Sequence, residues 1–382
     1  MKRTGLIVVA LGCFILVQAA QADWTPAKRL TWTTGSSLFP AIAIDSSDAI
    51  HTVWRDDTPG NLDIYYKRST DGGTSWGAAK RITWTSGNSS HPAMVVDSSD
   101  VIHVVWSDKT PGNDEIYYKR STDGGTSWGA AKRITWTSGN SYYPAMALDS
   151  SDAIHIAWND DTPSSDDEIY YKRSTDGGTS WGAAKRITWT SGLSLYPAMA
   201  IDSSDTIHIV WQDYTPGDTA IYYKKGTGGG INWSAVERIT WTSDACEPAI
   251  AVDSSDTIHL VWYDYTPGHA EIYYKKSADE GSTWSPAKRI SWTSDGSYDP
   301  VIAIDSGNTL HVVWDNEILG NYEIYYKRSA DGGTHWSAAQ RLTWTSGYSS
   351  RPAMAVDSGN ALHVVWHDDT PGNNEVYYKS GQ

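Results

Sequence analysis

Cysteine is nearly absent from this sequence of 382 residues. Of the two cysteines, Cys13 lies in an N-terminal apolar run and only Cys246 follows that run. If the N-terminal run is removed, the one remaining cysteine cannot form an internal disulfide. The stability of the chain must then come from a hydrophobic core, which a chain of this length is able to bury.

Long apolar segments are also missing, apart from the run between residues 6 and 17. Two basic residues precede this run, and a small-residue site, Ala-Gln-Ala, ends at residue 22. This is the pattern of a secretory signal peptide, so we expect residues 1–22 to be removed and the mature protein to comprise residues 23–382. The run is too short to span a bilayer. We therefore expect a secreted protein, extracellular or periplasmic, without a membrane span.

Positive charge is scarce, with 30 Lys and Arg residues against 45 Asp and Glu residues and a formal net charge of −15. A phosphate backbone repels such a surface, so we do not expect nucleic acid as a partner. No sequence pattern indicates a cofactor. A turn of four residues, Asp-Ser-Ser-Asp at residues 45–48, recurs along the sequence and could offer oxygen ligands to calcium. At two of its later occurrences the turn reads Asp-Ser-Gly-Asn instead, which is ordinary hairpin chemistry, so we predict no metal.

A repeat of about 52 residues covers the rest of the sequence. Each copy contains four β-patterned stretches between turn-forming clusters, without helical periodicity. Four strands per unit at this spacing are typical of a propeller blade, whereas the turns of a β-solenoid are usually shorter. Seven copies predict one all-β domain, a seven-bladed β-propeller of four-stranded blades. One tryptophan of the repeat recurs every 51 to 53 residues, as Trp24, Trp76, Trp128, Trp181, Trp233, Trp284 and Trp336.

The two ends of the chain predict how the ring closes. The last copy stops at Gln382, where its fourth strand should follow, and the mature chain begins with that missing strand, Trp24 to Thr33. We expect the N-terminal strand to complete the seventh blade, which would protect the edges of the sheets.

One turn of the repeat carries a family resemblance. Residues 277–284, Ser-Ala-Asp-Glu-Gly-Ser-Thr-Trp, match the Asp-box pattern Ser-x-Asp-x-Gly-x-Thr-Trp in full, and four other copies match it closely. The sequence thus resembles the BNR, or Asp-box, repeats of the sialidase superfamily. The resemblance implies the propeller fold but little about activity, because the box occurs in sialidases, other glycosidases, lectin-like proteins and assembly factors. We interpret the boxes as structural, with the key residues Ser69, Asp71, Trp76, Ser121, Asp123, Trp128, Ser174, Asp176, Trp181, Ser277, Asp279, Trp284, Ser329, Asp331 and Trp336.

The most informative positions are those that differ between otherwise near-identical copies. We expect two such sets to ring the mouth of the central channel, because both lie at strand ends away from the Asp-box. Drift in exposed loops is the alternative, although drift would not favour charged, aromatic and amide side chains so strongly. The first set precedes the proline of the first strand and comprises Phe39, His91, Tyr143, Tyr196, Glu247, Asp299 and Arg351. The second set follows the tryptophan of the second strand and comprises Arg55, Ser107, Asn159, Gln212, Tyr263, Asp315 and His367.

The two sets are unevenly distributed around the ring. Aromatic faces combined with planar hydrogen-bonding groups suit a sugar ring. We therefore predict a monomeric, non-catalytic glycan- or polymer-binding protein, with a structural or protein-interaction platform as an alternative. We expect a basic side of Arg55, His91, Arg351 and His367, an acidic side of Glu247, Tyr263, Asp299 and Asp315, and an arc of Tyr143, Tyr196 and Gln212 between them.

The resemblance also implies an enzymatic alternative, a sialidase-like exo-glycosidase. Sialidases hold the substrate carboxylate with arginines and use a tyrosine assisted by a glutamate as nucleophile, with an aspartate as acid and base. The corresponding residues would be Tyr263, Glu247, Asp299 or Asp315, Arg55 and Arg351. A sialidase clamp has three arginines and a sialidase propeller six blades, so these departures favour binding over hydrolysis.

Overall fold

The computed structural model describes residues 23–162, 166–215, 217–242 and 244–382. The predicted signal peptide, residues 1–22, lies outside these residues. The described part of the chain consists of strands and turns without a helix, and so without a helix that could cross a membrane. Seven antiparallel sheets follow one another along the chain, one for each repeat. This confirms the predicted all-β, seven-bladed propeller.

Each blade has three long strands and a short outer one. The first strands contact those of the neighbouring blades around the central channel. The first strands are Ser37–Ile44, Ser89–Val96, Ser141–Leu148, Ser194–Ile201, Ala245–Val252, Ser297–Ile304 and Ser349–Val356. The second strands are Ile50–Asp56, Ile102–Asp108, Ile154–Asp160, Ile207–Asp213, Ile258–Asp264, Leu310–Ile318 and Leu362–Asp368. The third strands are Asp63–Ser69, Glu115–Ser121, Glu168–Ser174, Ala220–Thr227, Glu271–Ser277, Asn321–Ser329 and Glu375–Gly381.

The outer strands are shorter than the sequence pattern predicts. In the stretch 76–85, only Lys80–Arg81 pairs regularly with the third strand. Beyond it the ladder is interrupted, because the backbone amide of Ile64 donates to the Thr83 hydroxyl, 2.8 Å away, instead of a backbone carbonyl. The other outer strands are Lys28–Arg29, Lys132–Arg133, Lys185–Arg186, the pair Asn232–Trp233 and Glu237–Arg238, Lys288–Arg289 and Gln340–Arg341.

The N-terminal strand closes the ring, as predicted. Lys28–Arg29 pairs with the last strand, Glu375–Gly381, and so completes the seventh sheet. The ring of Trp24 packs edge-on against Tyr326 of the sixth blade, with the centroids 5.2 Å apart. Leu30 is buried beside the strand. The edge of the seventh sheet is therefore covered by the start of the chain.

Side-chain hydrogen bonds join the hairpins of neighbouring blades at the Asp-box end. The carboxylate of Asp100 accepts hydrogen bonds from the backbone amide and the hydroxyl of Ser46 in the preceding blade, both at 2.8 Å. The same link joins the first and last blades, where Asp48 accepts from the amide and hydroxyl of Ser358 at 2.9 and 2.7 Å. The turn residues therefore tie the blades to one another in a circle.

The Asp-box acts as a turn staple. In the second blade the hydroxyl of Ser121 donates to Asp123 Oδ1, 2.8 Å away, and accepts from the backbone amide of Gly125 at 2.9 Å. The tryptophan that ends the box, Trp128, packs edge-on against Tyr66 of the preceding blade, with the centroids 5.1 Å apart. The box therefore both closes its own turn and joins two blades.

A histidine of each second strand takes part in the same joint. His51 Nδ1 lies 2.7 Å from the Tyr66 hydroxyl, and its Nε2 lies 3.1 Å from Asp45 Oδ2. The Tyr66 hydroxyl donates in turn to the carbonyl of Gly124 in the next blade, 3.1 Å away. Because both ring nitrogens have partners, the buried histidine is satisfied within the core.

Candidate functional site

Every first strand contains a β-bulge where it meets the channel. In the first blade the pairing with the second strand shifts between Leu38 and Ala41, so that Phe39 and Pro40 together face one partner residue. A bulge accepts a proline because the ladder needs no donor there. The varied residue of the first set is thus the bulged residue of its blade.

The bulged residues have a left-handed backbone conformation in all seven blades. This conformation costs about 1–3 kcal/mol for a residue other than glycine, and no blade has a glycine at this position. The fold thus accepts seven strained positions in order to present a side chain. Their φ angles range from +44° to +54°, at Phe39, His91, Tyr143, Tyr196, Glu247, Asp299 and Arg351.

The seven bulged residues and the prolines after them line a cavity of about 320 Å³ in the channel. The strand register shows at which end of the blades this cavity lies. Asp56 pairs with Asp63 at this end, whereas Ile50 pairs with Ser69, the first residue of the Asp-box, at the other. The structure therefore places the first set around the channel, on the face opposite the Asp-boxes.

One half of the channel wall is aromatic. Phe39 lies 5.1 Å from His91, His91 lies 4.1 Å from Tyr143, and Tyr143 lies 4.5 Å from Tyr196, measured between ring centroids. Burial lowers the pKa of His91 to about 3, so the imidazole is neutral at physiological pH. These four rings form a continuous arc that presents flat faces and edges to a ligand.

The other half of the wall is charged. Arg351 donates from Nη1 to Glu247 Oε2 at 3.2 Å, and its Nε lies 3.1 Å from Asp299 Oδ2. The expected separation of a basic side from an acidic side is therefore wrong for Arg351. The physical reason is that partly buried carboxylates need a counter-charge. Burial, followed by the neighbouring Asp299, raises the pKa of Glu247 well above its ordinary value.

The second varied set lies one layer behind the first, and from there Tyr263 and Asp315 reach a lobe beside the channel and Arg55 reaches Phe39. Each of its members pairs with the residue before the bulge, not with the bulged residue. One of them supports the strained backbone, because Gln212 Oε1 accepts from the backbone amide of Glu247 in the next blade at 2.9 Å. Arg55 and Tyr263 are half-buried. The buried members are Ser107, Asn159, Gln212, Asp315 and His367.

Phe39 brings together two arginines from opposite ends of the chain. The guanidinium carbon of Arg55 lies 4.3 Å from the centre of the Phe39 ring, and that of Arg351 lies 5.3 Å from it. Within the described part of the chain, Arg55 makes no hydrogen bond or ion pair, and its buried Nε is without a partner. His367 adds no charge, because burial lowers its pKa to about 3. Arg55 is thus a cation in need of an acceptor.

A smaller lobe of about 290 Å³ opens beside the charged half of the wall. It brings Tyr263 and Asp315 together with Glu247, and burial raises the pKa of Tyr263 and of Asp315. Three further tyrosines, which the comparison of copies did not single out, also line the lobe. They also differ from their counterparts in most other copies, so a comparison of every position would have found them. These are Tyr298, Tyr322 and Tyr348.

No group of three or more His, Cys, Asp or Glu side chains is placed to hold a metal ion within residues 23–162, 166–215, 217–242 and 244–382. The site can instead stack flat rings against its aromatic arc and bind anionic or hydroxyl groups at its charged wall.

Fold and site together define an Asp-box β-propeller with a polar central channel. The chain belongs to the BNR repeat-containing family, whose model matches residues 18–191 and 195–350. The resemblance inferred from the Asp-boxes is thereby confirmed. No curated protein matches the sequence.

Solved structures of carbohydrate-active proteins share the fold. A polysaccharide lyase of family PL25, an ulvan lyase, is 10% identical with a TM-score of 0.65, covering 92% of this chain and 95% of that one. The α-L-arabinofuranosidase of Fusarium graminearum is 14% identical with a TM-score of 0.56, covering 80% and 93%. The NanB sialidase of Streptococcus pneumoniae is 15% identical with a TM-score of 0.51, covering 92% and 70%. At these identities the similarity shows the fold.

Proposed function

We propose that the protein is a secreted, non-catalytic glycan-binding propeller that takes an acidic oligosaccharide into the mouth of its central channel. The observation that carries this proposal is the half-buried guanidinium of Arg55, which has no acceptor within the described residues and lies against Phe39. A carboxylate or sulfate group supplies the acceptor that this cation lacks, through a charge-assisted hydrogen bond.

The aromatic arc supplies the other half of the recognition. The C–H face of a pyranose stacks on an aromatic ring, while its hydroxyls pair with polar side chains at the ring edge. Tyr143 and Tyr196 lie opposite the charged wall, and the cavity of about 320 Å³ has the volume of a small-molecule site. A short stretch of acidic sugar can therefore contact both halves of the wall at once.

One structural neighbour supports an acidic ligand. The ulvan lyase was also solved bound to the repeat GlcA(1-4)Rha3S, which carries a uronate and a sulfated sugar, with a TM-score of 0.64 and 11% identity. The fold similarity is compatible with such a ligand, and the choice of an anion for this chain rests on Arg55.

The test is the substitution Arg55→Ala, with Lys109→Ala as the matched control. Lys109 is an exposed lysine in a loop at the same end of the blades, so both variants lose one positive charge near the mouth. We expect a uronate or sulfated oligosaccharide chosen from a glycan array to bind Arg55→Ala about 10 to 150 times more weakly, because a charge-assisted contact contributes about 1.5–3 kcal/mol. The loss should shrink at high salt. Equal binding by the two variants would disprove the assignment.

A second candidate function, glycoside hydrolysis, is favoured by one observation. Tyr263 lies beside Glu247, whose charge is the second cause, after burial, of the raised pKa of Tyr263. Against hydrolysis, Arg351 is already paired with two carboxylates. A fluorogenic sialoside assay separates the two functions. Turnover that disappears in Tyr263→Phe would establish the enzyme, whereas the binding proposal expects no turnover in the parent protein.

A further inference from the structure

Seven tryptophans are exposed on the surface, although large apolar side chains are normally covered. They take the same place in each repeat, three residues after the arginine of the outer strand. Between 66% and 78% of each residue is accessible to solvent. The seven are Trp32, Trp84, Trp136, Trp189, Trp241, Trp292 and Trp344.

The exposed tryptophans lie at the same end of the blades as the channel mouth. In the first blade the outer strand runs towards Asp63, because the amide of Ile82 donates to the carbonyl of Ile64 and the Thr83 hydroxyl donates to Asp63 Oδ1. Trp84 is the next residue. The tryptophans therefore form an outer ring, one per blade, around the site described above.

Cations hold each indole ring in place. The guanidinium carbon of Arg81 lies 6.0 Å from the centre of the Trp84 ring, and Lys119 Nζ of the next blade lies 5.3 Å from it. Lys119 is itself fixed, because it donates to the carbonyl of Ile82 at 2.7 Å. An arginine lies over every one of the seven rings and a lysine over six of them. The cations therefore restrain the orientation of rings that remain largely exposed.

At the fifth blade the exposed ring borders a cleft between two blades. Trp292 lies at the edge of this cleft of about 410 Å³, which the next blade lines with Glu317, Tyr325 and Lys327. An aromatic plate with a carboxylate, a phenol and an ammonium group around it has the components of a pyranose subsite.

We propose that the seven exposed tryptophans are sugar-binding subsites, each of which stacks a pyranose unit of a polysaccharide on its ring. The exposed indole rings are separate from one another and have polar neighbours, whereas a protein interface of ordinary size needs a contiguous core of apolar surface. Seven equivalent weak subsites on one face bind a long chain by avidity. This outer ring is distinct from the channel mouth and does not depend on an anion.

The test uses three adjacent blades. The triple variant Trp84→Ala, Trp136→Ala and Trp189→Ala is compared with the same three positions changed to Tyr, which keeps an aromatic plate. In affinity electrophoresis we expect hydroxyethyl cellulose, a neutral polysaccharide that offers Arg55 no anion, to retard the parent protein. The apparent dissociation constant should rise at least tenfold in the alanine variant and less than threefold in the tyrosine variant. Arg55→Ala should be retarded like the parent protein, which separates this proposal from the channel site.

A second measurement covers the case of a variant that folds poorly. In the parent protein, the polysaccharide that retards it should protect the seven exposed tryptophans from oxidation by N-bromosuccinimide, as read by peptide mass spectrometry. Absence of retardation by hydroxyethyl cellulose, equal retardation of the alanine variant, or oxidation without protection would each overturn the proposal. Self-association of the parent protein that disappears in a monomeric alanine variant would overturn it too, by assigning the outer ring to contacts between copies.

Discussion

Closure of the ring can be tested at Leu30, the buried residue of the N-terminal strand. Leu30 is 1% exposed and packs in a cluster with Trp54 of the first blade and with Val365 and Val376 of the last. Truncating a buried leucine to alanine removes transfer free energy and leaves a cavity, at a cost of about 2–5 kcal/mol. We therefore expect Leu30→Ala to lower the free energy of unfolding by that amount.

The matched control is Ile82→Ala in the first blade. Ile82 takes the same place in its outer strand, is fully buried, and donates its amide to the third strand as Leu30 does. The two residues differ in where their partner lies in the sequence. Ile82 pairs with Ile64 of the same repeat, whereas Leu30 pairs with Val376 at the other end of the sequence. If the N-terminal strand is an integral part of the ring, both substitutions should cost about the same, within the roughly twofold spread between sites.

The assay is urea denaturation of residues 23–382, followed by tryptophan fluorescence. Both variants should shift the midpoint downwards with an unchanged slope, because neither changes the surface exposed on unfolding by much. A loss in Ile82→Ala without a loss in Leu30→Ala would refute the reasoning. It would show that the N-terminal strand is undocked in solution and that the seventh blade is stable with three strands.

Two further predictions concern the Asp-box and the charged wall. Ser121→Ala removes a buried hydroxyl that both donates and accepts. It should lower the free energy of unfolding by about 1–3 kcal/mol and leave glycan binding unchanged, as titration of the same oligosaccharide would show. Glu247 has a folded pKa raised by burial, so its neutral form stabilises the fold at low pH and this contribution disappears as the pH rises through the folded pKa. Glu247→Gln should therefore raise the melting temperature more at pH 8 than at pH 5, and an equal change at both values would contradict the raised pKa.

The repeat predicts the fold well because all seven copies carry the same turns. Blade number and strand order follow from the number and spacing of the copies, since a propeller has few ways to arrange four-stranded units. Closure follows from the fourth strand that the last copy lacks and the start of the mature chain supplies. The length of the outer strand does not follow. Its ladder ends where the Thr83 hydroxyl takes the place of a carbonyl, and a β-patterned sequence contains no sign of that exchange.

The lining of the channel was predictable as a set of positions but not as an arrangement of charges. Comparison of copies identified the bulged residues because they differ between copies that are otherwise nearly identical. It could not show that Arg351 reaches across to Glu247, whose blade lies two places away along the ring. Nor could it show two layers, because the bulge that separates Phe39 from Arg55 arises from a pairing shift rather than from a residue type.

The bulges lead to one further prediction, in which glycine should be more stable than alanine. Glu247 has a φ of +44°, in the left-handed region that a Cβ disfavours by about 1–2 kcal/mol. In an ordinary strand glycine is less stable than alanine by roughly 0.5–1 kcal/mol. At residue 247 the order should be reversed, with Glu247→Gly more stable than Glu247→Ala by about 1 kcal/mol. Both variants remove the same carboxylate and leave Arg351 paired with Asp299, so the difference in their urea midpoints isolates the backbone strain.

Both variants should also weaken oligosaccharide binding to a similar degree, since the side chain contributes to the ligand and the backbone conformation does not. If Glu247→Ala proved the more stable of the two, the left-handed conformation would not be a source of strain at this bulge. The absence of glycine from the seven positions would then need no functional reason. If glycine is the more stable, the chain gives up stability at a position where only a side chain can reach the ligand. That is the exchange expected when strain is kept for binding.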